Sequence, residues 1–163
     1  MAQNFFIKID SHDGESQVEG HTKDIQVLSW SHSFNQPTSA TRSSAGGGTV
    51  EQANHADFSF TKYVDVASVP LMKSCWNGKT IKNAVFTAYR SDGDALVEYL
   101  KVEMDNVIIS NISFGGGTGD LASETITLSY SKVKYTYTQQ KVPGAGNDGN
   151  KAASHDLALQ KVE

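Results

Sequence analysis

Apolar and polar residues alternate with a period of two along much of the chain, and many apolar positions are β-branched or aromatic. That pattern predicts half-buried strands. The first run sets Phe5, Ile7 and Ile9 on one face and Phe6, Lys8 and Asp10 on the other, and Asp13-Gly14 after it reads as a reversal. A second run, over 22–35, changes phase: Ile25 and Val27 share one face, then Leu28, Trp30 and Phe34 take the opposite one. A straight strand with one buried face cannot change phase by one residue. A bulge or bend that turns a corner accounts for it, and a strand covered on both faces is the alternative; the bend is preferred. A third strand over 56–64 places Phe58, Phe60 and Lys62 on one face. Three further strands are predicted over 80–90, 95–114 and 121–139. Ser91-Asp92-Gly93-Asp94 joins the first pair as a hairpin, and the glycine-rich stretch 115–120 joins the second.

One helix stands among these strands, in DVASVPLMKSCWNG. Ser68 is placed to cap it, Pro70 is tolerated in its first turn, and Gly78 stops it. Leu71, Met72, Cys75 and Trp76 form its apolar face, which is expected to lie on the sheets. Residues 36–54 are polar, with Pro37, a Ser/Thr-rich run and Gly46-Gly47-Gly48. They read as a long loop, and loops of that length inside compact domains are usually functional. The tail, 142–163, reads as flexible at first, with a short strand over 156–160.

With 163 residues the chain fits a single domain, 1–163. A chain of this size buries roughly 68–70% of its unfolded surface without staples. A formal net charge of −4 argues against a nucleic-acid partner, which needs a concentrated basic surface. The single cysteine, Cys75, excludes an internal disulfide and reads as a small buried apolar residue. The N-terminal residues carry no cleavable-signal pattern, and no stretch approaches the roughly 18 apolar residues of a membrane-spanning helix. The chain is therefore expected to fold in the cytoplasm, with no membrane insertion.

Candidate chemistry is sparse. Neither glycine cluster is followed by the Lys-Ser/Thr and helix of a phosphate loop. The five histidines, His12, His21, His32, His55 and His155, show no metal-ligand spacing and read as surface residues, with His32 on a strand face. There is no nucleophile elbow, and Asp92 and Asp94 read as turn formers. No catalytic residue, metal or cofactor is assigned.

Several segments together carry a resemblance. FFIKID…GES, DIQVLSWS, DFSFTKYVD, PLMKSCWNGK, VEYLKVEM, ISNISFGGG and LSYSKVKYTY…QQK, in that order over 1–141, resemble the hemolysin-coregulated protein family of type VI secretion systems. The resemblance implies a mainly β fold, a compact β-barrel of two sheets with one short flanking helix, similar to phage tail-tube proteins. It implies a homohexameric ring that stacks into a tube, ejected by a contractile sheath behind a tip spike protein, with small effector proteins carried in the lumen. On this reading Ser29, Ser31 and Ser33 face the lumen, and the 36–54 loop, with Thr41, Arg42, Gly46, Gly47 and Gly48, reaches the next ring. The weakly matched tail, 142–163, is too short for a fused toxin domain, so the protein is not read as an enzyme. Two alternatives stand beside the tube: a ring used mainly as an effector chaperone, and a secreted hydrolase.

Overall fold

The phase change in the second run is a change of sheet. The computed structural model of the chain describes residues 3–38, 52–93, 95–140 and 147–163. Its strands are β1 (Gln3–Ile9), β2 (Ile25–Val27), β3 (Ser29–Ser31), β4 (Phe34–Asn35), β5 (Asn54–His55), β6 (Phe58–Tyr63), β7 (Ile81–Asp92), β8 (Ala95–Gly115), β9 (Ser123–Ser129), β10 (Lys132–Gln140), β11 (Asn147–Asp156) and β12 (Lys161–Val162). The helix α1 (Ser68–Asn77) lies between β6 and β7. β2 pairs with β1, whereas β3, one residue later, pairs with β6. Leu28 is the corner. It points Ile25 and Val27 into the core from one sheet and Trp30 into it from the other, which is why their phases differ.

Two more corners follow the same logic. β8 runs for 21 residues, pairing with β7 and β10 in its first part and with β9 beyond Ile108. Between the two parts Asn106 takes a left-handed conformation, φ 51°, which asparagine adopts at lower cost than most residues. The run 121–139, read as one strand, is two: it breaks at Tyr130-Ser131 so that β9 serves one sheet and β10 the other. The corners are tied together, since Asn106 Nδ2 donates to Ser131 Oγ at 2.9 Å and the Ser131 N–H donates to the Asp105 carbonyl at 3.1 Å. Asn106→Val is expected to cost about 1–3 kcal/mol through strain and the lost bond, whereas Asn106→Gly costs less. Urea denaturation of both variants checks the order.

The ladder does not close into the expected barrel. Its path runs β2-β1-β7-β8-β9-β6-β3 and ends on β2 and β3, which are joined by the chain at Leu28 rather than by a ladder. The Leu28 N–H donates to the Thr61 carbonyl at 2.8 Å, which extends the β3–β6 pairing to the corner residue. Meanwhile β10 takes the second edge of β8, so the sheet continues outward through β11 and β12 instead of curling shut.

The tail differs from expectation in the same region. β11 spans ten residues and 157–160 is a turn, with Gln160 at φ 55°, not a strand. Its sequence, NDGNKAASHD, has no apolar alternation, and residues 149–153 are exposed. Pairing with β10 along its length, and with β12 at its end, makes it a strand.

Core residues from both sheets form one cluster, with Ile7, Phe58, Phe86, Val102, Ile126 and Leu128 all fully buried. The helix covers it with a narrower face than the sequence suggests. Leu71 and Ser74 are buried with Ser68, while Met72 and Cys75 are only partly covered and Trp76 is 78% exposed. Trp76 lies five residues past Leu71, which rotates it about 140° round the helix, away from the sheets. Gly78 ends the helix as expected, left-handed at φ 62°, but Ala67, not Ser68, is the cap residue. Ser68 is instead drawn into a buried polar cluster with Lys62 and Glu124.

Asp13-Gly14 is not the reversal either. The chain turns at Ser11, φ 64°, and Gly14 is buried against the 23–25 backbone, where an added Cβ would lie 2.6 Å from the Asp24 carbonyl oxygen. Backbone atoms cannot swing aside, so Gly14→Ala is expected to cost about 1–3 kcal/mol by overpacking, measured as a lowered midpoint in thermal or urea unfolding.

Candidate functional site

The second sheet has two chemically opposite faces. On β6 and β9, Phe58, Phe60, Ile126 and Leu128 point inward and are fully buried. Between them Ser59, Thr61, Thr125 and Thr127 point outward, and the ladder register extends these positions across four strands. One row runs Ser29, Thr61, Thr125, Ser113 and the next runs Ser31, Ser59, Thr127, Asn111. Thr61 and Thr125 hydroxyls meet at 3.1 Å, Ser59 and Thr127 hydroxyls at 3.5 Å, and Asn111 Nδ2 donates to Ser113 Oγ at 3.2 Å. None of the eight residues in these rows is charged. The two rows offer short donors and acceptors that water can satisfy, and none of their side chains is ionic.

Of the residues selected from sequence, Ser29 and Ser31 lie in these rows and are exposed. Ser33 is exposed just beyond β3, its carbonyl accepting the Ala56 N–H at 3.0 Å. Thr41, Arg42, Gly46, Gly47 and Gly48 lie outside the described residues. The other six members of the two rows were missed. Four of them, Ser59, Thr61, Thr125 and Thr127, show in FSFTKY and ETITLS as hydroxyls alternating with apolar residues, and Asn111 and Ser113 lie in ISNISF. Only the register shows that these runs are neighbours of DIQVLSWS.

The histidines are not surface residues scattered singly. His12 is buried, with Nδ1 at 2.7 Å from the Asp10 carbonyl and Nε2 at 2.8 Å from Ser74 Oγ, which ties the β1 end to α1. His21 stacks on Phe6 at 4.4 Å between centroids and bonds Asp24 and Tyr89, covering Phe6 on the face opposite the main core. That lid explains why both faces of β1 are buried at Phe6 and Ile7.

The other three converge from distant parts of the chain. His32 Nδ1 is hydrogen-bonded to the Tyr135 hydroxyl, and His32 Nε2 lies 2.7 Å from the Tyr130 hydroxyl and 3.1 Å from the Ala56 carbonyl. The Tyr130 hydroxyl is also 2.7 Å from His55 Nδ1, and His55 Nε2 is 2.7 Å from His155 Nδ1. Burial pushes His32 down to about 4; the neighbouring His55 adds to this, while the Ala56 carbonyl and Asp57 oppose it. His55 is lowered by burial and then by His155. Burial raises the Tyr130 phenol, helped by Tyr135 and Asp57, and pushes Tyr135 up to about 12. All four shifts favour neutral groups, as expected for rings shielded from water. Among the described residues no group of three or more His, Cys, Asp or Glu is placed to hold a metal ion. Among the described residues, likewise, no helix is long and apolar enough to cross a membrane.

Comparison with known proteins agrees with the fold and its order of segments. Residues 6–137 match the family described as type VI secretion system effector, Hcp. The chain is 38% identical over 150 residues to Protein hcp1 of Pseudomonas aeruginosa, covering 91% of each chain. It is similar to the crystal structure of Hcp1 from Salmonella typhimurium, with 32% identity, a TM-score of 0.81 and both chains covered completely. A type VI secretion system effector from Yersinia pestis is similar at 32% identity and a TM-score of 0.71, covering 93% of this chain and 98% of that one. With the family matched over most of the chain and the same architecture in its solved members, this chain belongs to the Hcp family of type VI secretion proteins.

Proposed function

We propose that the protein is the structural subunit of a secreted tube, forming hexameric rings that stack and are driven out by a contractile sheath behind a tip spike. The chain, 1–163, acts as one domain in this role, without a catalytic site or cofactor, and leaves the cell with the tube. The observation that carries the reading is the uncharged hydroxyl face. An outward sheet face with two register-matched rows of Ser, Thr and Asn suits the wall of a water-filled lumen. Small effector proteins slide along such rows because their side chains are neither apolar nor charged. Thr41, Arg42 and Gly46 to Gly48 are assigned to contacts between successive rings.

The tube reading is tested by the mass of purified protein in solution, with the same sample imaged by negative stain. A mass near about six subunits and open-centred rings support it; a monomer at high concentration overturns it. Ser31→Trp tests the wall itself, because one indole per subunit crowds and greases the lumen. Rings of Ser31→Trp should form normally and lose co-purifying small proteins. If cargo is retained, the hydroxyl face is not the lumen.

The edge of β11 beyond β12 carries no ladder among the described residues, which supports self-association. Ser154 exchanges both backbone bonds with Glu163, at 2.7 and 2.9 Å, so its N–H and C=O point away from β10. By the alternation of an antiparallel ladder, the N–H groups of Ala152 and Asn150 point the same way, past the end of β12. Unpaired edges recruit another chain. Ala152→Pro removes one outward donor without touching the β10 ladder, a position where an edge strand tolerates proline. It should leave the subunit folded and reduce rings to monomers or open fragments in light scattering; intact rings would show that this edge does not join subunits.

A further inference from the structure

We propose that the alternating phenol and imidazole chain from Tyr135 through His32, Tyr130 and His55 to His155 is a proton-operated latch. When its rings are neutral it fastens the β4–β5 hairpin to β10 and β11; proton uptake opens it and frees the hairpin while both sheets stay folded. The hairpin is the root of 36–53, and among the described residues its two strands share the pairs Phe34–His55 and Asn35–Asn54 and one further bond, from the Ala56 N–H to the Ser33 carbonyl at 3.0 Å. A two-stranded ribbon that short does not hold itself in water. What seats it is the chain of ring contacts. Phe34 lies edge-on to His32 at 4.5 Å, to His55 at 5.0 Å and to Tyr135 at 5.7 Å between centroids.

The hydrogen bonds fix the direction of every proton. A carbonyl only accepts, so the Ala56 carbonyl requires the hydrogen of His32 on Nε2, where Tyr130 shares it. His32 Nδ1 must then accept from the Tyr135 hydroxyl. The Tyr130 hydroxyl, already accepting, gives its own hydrogen to His55 Nδ1, and His55 Nε2 gives its hydrogen to His155 Nδ1. One arrangement satisfies all these bonds with every ring neutral. A proton added to His55 Nδ1 points an N–H at the Tyr130 hydroxyl, whose hydrogen then has no acceptor in the chain. A proton added to His32 Nδ1 likewise turns the Tyr135 hydrogen away. Each addition breaks a link and leaves a charge among shielded rings.

The surrounding groups do little to cancel that charge. Facing the two inner rings are Tyr130 from the β9–β10 corner, Tyr135 from β10, His155 from β11 and Asp57 from the β5–β6 connection. Asp57 is the one carboxylate among the described residues that acts on His32, and its Oδ2 already accepts from Ser110 Oγ at 2.8 Å. Because the folded state lowers the affinity of His32 for a proton, the closed latch is favoured fully above the ordinary imidazole range. It is lost progressively as pH falls from about 6.5 toward about 4.

Hydrogen–deuterium exchange of the full chain, expressed as protection factors at pH 7 and pH 4.5, tests this. Segments containing Phe34-Asn35 and Asn54-His55 should lose protection about tenfold or more at the lower pH, while the β1–β7 ladder keeps its own. Tyr130→Phe, which removes the central hydroxyl and keeps the ring, should show the acid-like exchange of the hairpin already at pH 7. The double variant His32→Gln/His55→Gln should give the hairpin the same protection at both pH values. Unchanged hairpin protection in the wild type, or loss of protection in β1–β7 at the same pH, overturns the latch. So does a double variant that keeps the full pH response.

Discussion

Lys62→Ala is expected to destabilise the fold by about 3–5 kcal/mol, read as a lower urea midpoint at unchanged slope. Lys62 is fully buried on β6, on the inward face with Phe58 and Phe60. Its Nζ is ion-paired with Glu124 of β9 and donates to Asp65 Oδ1 at 2.7 Å, the Tyr63 carbonyl at 3.1 Å and Ser68 Oγ at 3.1 Å. Ser68 Oγ in turn accepts the Asp65 N–H at 2.9 Å and donates to Glu124 Oε1 at 2.8 Å. The cluster therefore joins β6, β9, the turn before α1 and the first helical turn. Glu124 depends on it, because its Oε2 is buried without a hydrogen-bond partner among the described residues. Removing Lys62 leaves that carboxylate uncompensated in a low-dielectric site, which costs more than the pair itself contributes. The corollary separates the two effects. Lys62→Met/Glu124→Leu, which removes both charges and keeps the volume, should be well above the sum of the single variants in stability. If the single losses simply add, the pair is not coupled and the account is wrong.

Phe86→Ala is expected to cost a similar amount, about 3–5 kcal/mol, by leaving a cavity where the two sheets meet. Phe86 belongs to β7 in the first sheet, but its ring lies 4.9 Å from that of Trp30 and 5.3 Å from that of Phe58, both in the second sheet. Phe5 completes the cluster at 6.0 Å. No flexible side chain in that cluster can fill the space, since three of its four rings sit on paired strands at fixed register and Trp30 is held by β6 on one side. Phe86→Leu retains most of the apolar volume and should cost about 1–1.5 kcal/mol. Thermal unfolding of the two variants would contradict this if Leu and Ala were equally damaging, because the loss would then not track the cavity.

The polar cluster and the aromatic cluster differ in how far the sequence announced them. Phe58, Phe60 and Lys62 fall on one face by alternation alone, so the inward position of Lys62 was legible, but its partners were not. Glu124 lies 62 residues away and meets it only because β6 and β9 are neighbours in register. The hydroxyl face shows the same division. Ser29 and Ser31 stand out as the polar half of one strand, and the remaining residues of the two rows become a surface only when four strands are laid side by side. The latch was invisible: His32, His55 and His155 have no local spacing that relates them.

What the sequence determined by itself are the properties fixed by near neighbours along the chain. These are the strand periods, the one helix and its Gly78 stop, the hairpin at 91–94, and the corner at Leu28, where a one-residue change of phase had to be reconciled. The ordered segments also determined the family. What only the tertiary structure decided are the properties fixed by pairing. β9 and β10 follow each other along one edge of β8, β2 and β3 are joined by the chain and not by a ladder, and β10 and β12 together make a strand of the polar tail. Trp76 is left outside because the sheets reach only one side of α1. Local pattern is set by which face of each segment avoids water; partners are set by register between segments far apart in sequence, and one residue sequence carries no direct record of that.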